Sequence, residues 1–155
     1  MAVALSVGVV ACATATKTPK DSAAQREWED LTARVERGEV ERIEVLHIPS
    51  HIMTAWAVKP NEIEQGYHYG FTMRSVPREP NKSSVLQTMR STQVEPHERF
   101  PDLRWAMIFH DAHGARVGAV YVDKFGKRGV VGSMPVALRG ELLPWLKACF
   151  GSSYR

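Results

Sequence analysis

The sequence predicts an α+β domain: a meandering antiparallel sheet with helices packed mainly on one face. Three observations lead there. Amphipathic helical periodicity is confined to a few separate segments, led by Ala24, Trp28, Leu31 and Val35. Three apolar runs, 103–110, 116–123 and about 128–132, follow one another across short turns, "DAHGA" and "KFGKR". The helical and strand segments do not alternate in the regular β-α-β rhythm that builds parallel sheets.

The elements follow in order. Helix one is expected over Ala23–Arg37, with Ser22 and Gln25 spaced as a capping box and Gly38 as the stop. A strand is expected at about 41–48, "ERIEVLHI", ended by Pro49. "TAWAVKP", residues 54–60, is a shorter strand candidate. Pro60 then opens a short helix, "PNEIEQ", closed by Gly66; proline at the first helical position loses no intrahelical bond. "YHYGFTMRSV" reads as a strand with Tyr69, Phe71 and Met73 on one face, Thr72 and Arg74 on the other.

Turn residues fill "VPREPNKSS", and a second helix, about 82–92, presents Val85, Leu86 and Met89. "EPHERFPDL" is a Pro-rich loop. The first two strands of the meander carry apolar residues on both faces and are expected to be central. A last helix, about 141–150, has Pro144 in its first turn and buries Leu142, Trp145, Leu146 and Cys149. Trp28, Trp105 and Trp145 fall on core faces. Trp56 sits among polar turns; left exposed, it becomes a binding anchor.

At 155 residues the chain suits one domain that folds without metal or disulfide. Twenty basic residues against seventeen acidic give +3, far from the dense basic stripe of a nucleic-acid binder. Residues 2–11, "AVALSVGVVA", form an apolar run too short to span a bilayer and matching a secretory h-region. The same run also has strand-like composition. Val9-Val10-Ala11-Cys12 resembles the lipobox of bacterial lipoproteins, although only Met1 precedes the run where that family has Lys or Arg. The resemblance implies cleavage before Cys12 and lipidation of its thiol. "ATATKTPKDSAA" then reads as a tether. The expected organisation is a signal-like segment 1–11, a tether 12–21 and a single domain 22–155. Ala13, in place of Asp, implies sorting to the outer membrane, with the domain in the periplasm. A Cys12–Cys149 disulfide is the alternative use of the two cysteines.

Catalytic patterns are thin. In "HDAH", His110, Asp111 and His113 sit in a turn, and every position there has a turn explanation: Asp bonds its own downstream backbone and Gly114 takes positive φ. His47 and His51 are the nearest further imidazoles, but no zinc spacing is present, so neither metal nor cofactor is expected. No GxSxG occurs, and Cys149 has no sequence neighbour to activate it. Asp102, Asp111 and Asp123 gain catalytic meaning only through a measured separation in a cleft. "FGKRG" lacks the P-loop context. The expectation is a binding protein and not an enzyme.

The stretch "DLRWAMIFHDAHGARVGAVYVDKFGKRGVVGSMPVALRGELLPWL" resembles small bacterial envelope proteins of the toxin-immunity kind. It has an aromatic strand, a polar turn, a strand ending in Asp, a Gly-flanked basic turn and a terminal Leu/Trp helix. That resemblance implies a protein partner, a secreted hydrolase-type effector, blocked by occlusion of its active site. It implies no nucleic acid, and membrane contact through the lipid anchor only. Contact residues are then expected in one of two turns, Asp123, Lys124, Phe125, Lys127 and Arg128, or His110, Asp111 and His113. The first is favoured, because Phe125 flanked by cations suits an acidic, partly apolar cleft. The competing expectation is an envelope structural or assembly lipoprotein.

Overall fold

The computed structural model describes residues 22–74 and 82–151. The signal-like segment, Cys12 and the tether lie outside the described residues, as does the end of the strand expected through residue 76. Eleven elements are described: α1 (Ala23–Arg37), β1 (Arg42–His47), α2 (Pro60–Gly66), β2 (Tyr69–Arg74), α3 (Lys82–Ser91), β3 (Gln93–Pro96), β4 (Leu103–His110), β5 (Arg116–Asp123), β6 (Arg128–Val131), β7 (Met134–Arg139) and α4 (Leu142–Phe150). The strands form one antiparallel sheet of order β2-β1-β4-β5-β6-β7-β3. The α+β class and the meander are as the sequence predicts.

α1 forms where its periodicity places it. Ser22 Oγ accepts the Gln25 amide at 3.1 Å, and Gly38 takes φ 77° at the C-terminus. Only half of the capping box is made, because the Gln25 side chain turns to Glu29 instead. Ala24, Trp28, Leu31 and Val35 are buried. They join Val85 and Met89 of α3, and Leu142, Trp145 and Leu146 of α4, over one face of the sheet. Val45, Trp105, Met107, Phe109, Val120 and Val122 fill that core from below. The opposite face buries Leu46, Ala106, Ile108, Ala119, Tyr121 and Val130 beneath Ile63 of α2. The two faces explain why β4 is buried from Leu103 to Phe109 and reads as a continuous apolar run.

Four expectations need correction. β7 was not among the expected elements, and it carries Pro135, which has no amide to give to a ladder. It is tolerated because the β3 ladder begins only at Val136, so the missing amide falls outside that pairing. β3 was not expected between the second helix and the Pro-rich loop; it is four residues long and buries Val94 alone. Residues 54–60 do not form a strand. Two of their amides go to side chains instead, Val58 to Asp102 Oδ1 at 3.0 Å and Lys59 to Glu62 Oε2 at 2.7 Å, while Arg104 holds the loop by donating to Ile52 O and to Thr54 Oγ1. Cys149 is exposed and not buried. Phe150 packs there in its place, tilted against Phe71 and edge-on to Trp145. The β2 alternation holds in weaker form, with Phe71 and Met73 half-buried on an edge strand.

Candidate functional site

The HDAH question resolves into backbone chemistry. Asp111 Oδ1 accepts the amides of His113 and Ala115, both at 2.9 Å. The Asp111 amide bonds Ala115 O, and Gly114 adopts φ 81°. His110 Nδ1 lies 3.2 Å from Gly114 O, and its Nε2 lies 3.5 Å from Glu44 Oε2. Its side chain is only 12 % exposed, so it offers a partner little surface. Among the described residues no three His, Cys, Asp or Glu side chains converge as a metal site would require.

The β5–β6 turn is built differently. Asp123 is 2 % exposed. Its Oδ1 accepts the amides of Phe125 at 3.2 Å, Lys127 at 3.0 Å and, more weakly, Arg128 at 3.4 Å. Oδ2 takes no hydrogen bond and faces Arg128 Nε at 3.5 Å. The turn amides therefore point inward, to a carboxylate, and are not offered to an external phosphate. Gly126, at φ 70°, lies against α4: a Cβ there would meet Leu143 Cβ at 2.6 Å. The tip is thus held from inside and from the side. Phe125 projects from it, 62 % exposed, with Lys124 Nζ 4.9 Å from its ring centre. Beside the ring lies an open recess of about 440 Å³, floored by Leu138, Leu143 and Pro144 and edged by Lys127 and Arg139.

The structure thus divides the expected contact residues. Lys124, Phe125, Lys127 and Arg128 are together and exposed, while Asp123 is buried beneath them and holds their amides. His110, Asp111 and His113 lie at the other end of β5.

Sequence reasoning located the second surface only through its condition on Trp56. That indole is 70 % exposed, and its Nε1 donates to Glu62 Oε1 at 3.2 Å. Glu62 Oε2 in turn accepts the Lys59 amide at 2.7 Å, so the ring is tied to the start of α2. Met53, on the same loop, is 94 % exposed. Arg104, 5 % exposed, holds this loop through Ile52 O and Thr54 Oγ1 while pairing with Asp102 at 2.7 Å. Phe100, 53 % exposed, comes from the neighbouring segment. On the far side of α2, Glu64 receives Arg116 Nη1 through both carboxylate oxygens at 3.0 Å, and Arg116 Nη2 donates to the Tyr121 hydroxyl at 2.7 Å. Tyr121 donates to Glu64, and burial followed by that carboxylate pushes the phenol up to about 12. The raised value keeps the Tyr121 phenol protonated at neutral pH.

His47 is a third unusual group. It is 7 % exposed, with its ring 3.8 Å from that of Trp105. Burial first, then the cations Lys147 and Arg104, push its pKa from 6.5 down to about 4. Because the folded value is the lower one, His47 leaves stability intact above pH 6.5 and erodes it as pH falls from about 6.5 to about 4. The loss reaches at most about 1.4 kcal/mol per pH unit in that window. Urea titrations of the wild type against His47→Phe check this: the variant should show a flatter stability profile there, and parallel profiles would refute the assignment.

No protein-family model, curated protein or solved structure matches this chain.

Proposed function

We propose that this domain is a binding protein that inhibits a secreted antibacterial effector by occluding its active site, as immunity proteins do. One observation carries the reading: the Phe125 ring stands out from a tip whose backbone is fixed in advance by the buried Asp123 carboxylate. A rigid projecting aromatic is what an anchor needs, because little freedom remains to be lost on binding. Lys124, Lys127, Arg128 and Arg139 surround it, and they favour an acidic cleft by speeding encounter. In this reading the chain is a periplasmic lipoprotein held to the outer membrane through Cys12, with a hydrolase-type effector as partner.

The experiment is capture by the immobilised chain from the secreted proteins of its own organism. A single hydrolase retained through high salt and silenced by the chain supports the proposal. Phe125→Ala should then weaken the complex by roughly 30-fold, as loss of an anchor worth about 2 kcal/mol does. Capture of membrane-assembly components instead, the result for an envelope structural lipoprotein, or capture of nothing, refutes it.

A further inference from the structure

A second surface lies on the α2 side of the sheet, whereas the Phe125 recess opens against α4. Its construction begins with the chain path. The His97 amide bonds Pro135 O, and the Leu103 amide bonds Val58 O. Residues 97–102 therefore cross from β7 to β4, passing the strands between them. This crossing sets Phe100 beside α2. An open recess of about 600 Å³ results, lined by Lys59, Asn61, Glu64, Phe100, Arg116 and Tyr121. A smaller recess of about 320 Å³ lies on the other side of α2, where Trp56 and Glu62 line it.

We propose that these two recesses form one binding surface for an uncharged saccharide chain. Three features point to that ligand class. First, two large rings, Trp56 and Phe100, are held out of the core, and Trp56 is pinned through its Nε1. The electron-rich face of such a ring attracts the polarised C–H bonds on the flat side of a sugar. Second, donors and acceptors line the recesses beside the rings: Asn61, the Glu62 and Glu64 carboxylates, and the guanidinium of Arg116. Sugar hydroxyls donate and accept at once and can meet both kinds of group. Third, the charges cancel. Two cations, Lys59 and Arg116, and two carboxylates, Glu62 and Glu64, line the recesses, and Arg116 is already matched to Glu64 through two oxygens. An anionic ligand finds no net positive charge there, and a purely apolar ligand would leave the polar walls unpaired. The larger recess is of the size that small ligands occupy.

The test is a titration of the full chain, labelled with ¹⁵N, with cellobiose and with N,N′-diacetylchitobiose. The expected result is a set of shifted resonances confined to the Trp56 indole N–H and the amides of Lys59, Asn61, Phe100, Arg116 and Ser133, saturating with a dissociation constant of about 1 mM. Trp56→Ala and Phe100→Ala replace exposed rings, so the fold should survive, as an unchanged melting temperature will show. Each should weaken the sugar roughly tenfold or more, the scale seen when one stacking platform is removed. Phe125→Ala should leave sugar binding unchanged, which keeps this surface separate from the tip. The proposal is overturned if neither sugar shifts these resonances, if the shifts lie elsewhere, or if both alanine variants bind as the wild type does. It is equally overturned if the surface proves to hold a protein, with Trp56→Ala abolishing that complex and no sugar competing.

Discussion

Asp123→Ala should lower the unfolding free energy by about 4 kcal/mol, because a buried charged acceptor loses three amide partners at once. The magnitude follows from what remains. Phe125, Lys127 and Arg128 would keep their amides turned inward toward an empty space. Arg128 would lose the carboxylate oxygen 3.5 Å from its Nε. The turn can relax only by swinging outward, and Gly126 is pressed against Leu143 of α4, so relaxation also loosens the helix. Urea denaturation measures the loss. Asp123→Asn keeps one carbonyl acceptor and should recover a large part of it. A loss under about 1 kcal/mol in the alanine variant would mean that water or a shifted backbone replaces the carboxylate. The tip would then not be preorganised, and the case for Phe125 as an anchor would fall with it.

Arg104→Ala should cost about 3 kcal/mol, near the lower end of what breaking a buried ion pair costs, since Asp102 keeps some access to water. Its local effect should be larger than its global one. Arg104 is the single side chain that bonds Ile52 O, Thr54 Oγ1 and Asp102 together, and Asp102 in turn receives the Val58 amide. Without it, the loop from Pro49 to Val58 loses its side-chain ties to β4 and keeps the backbone bond from the Leu103 amide to Val58 O. Hydrogen exchange should therefore show the Val58 amide losing most of its protection while Met107 and Phe109, in the middle of β4, keep theirs. Arg104→Lys restores the charge but not the planar fork, and should recover little of this protection. Unchanged exchange at Val58 in the alanine variant would show that the loop is held by some other contact.

The helices were legible because periodicity, caps and stops agreed locally. Ser22, the stripe from Ala24 to Val35, and Gly38 state the same helix three times over. The meander was legible for a similar reason, since apolar runs of eight residues separated by Asp- and Gly-containing turns have few other solutions. What escaped was decided at long range. Residues 54–60 have strand composition, but their hydrogen bonds go to Asp102 and Arg104, more than forty positions away in sequence. β7 carries a proline whose harmlessness depends on where the β3 ladder begins, a long-range fact. The role of Asp123 was read halfway. Its place at the strand end was visible, but its burial beneath the turn, where it holds the turn amides, was not. The Glu64–Arg116–Tyr121 triad had no sequence signal, because its members become neighbours only when α2 lies across β5.

The sheet order has a consequence for how the chain is made. β4 to β7 is a run of adjacent hairpins closed entirely within residues 103–139, and every strand before it docks on that run or on something docked there. α1, the first of the described elements, rests on β3, β6 and β7. During translation, Trp28, Leu31 and Val35 therefore precede every partner they have in α3, β3, β6 and β7. Their full burial waits on the later half of the domain, and until then their apolar faces are open to wrong contacts.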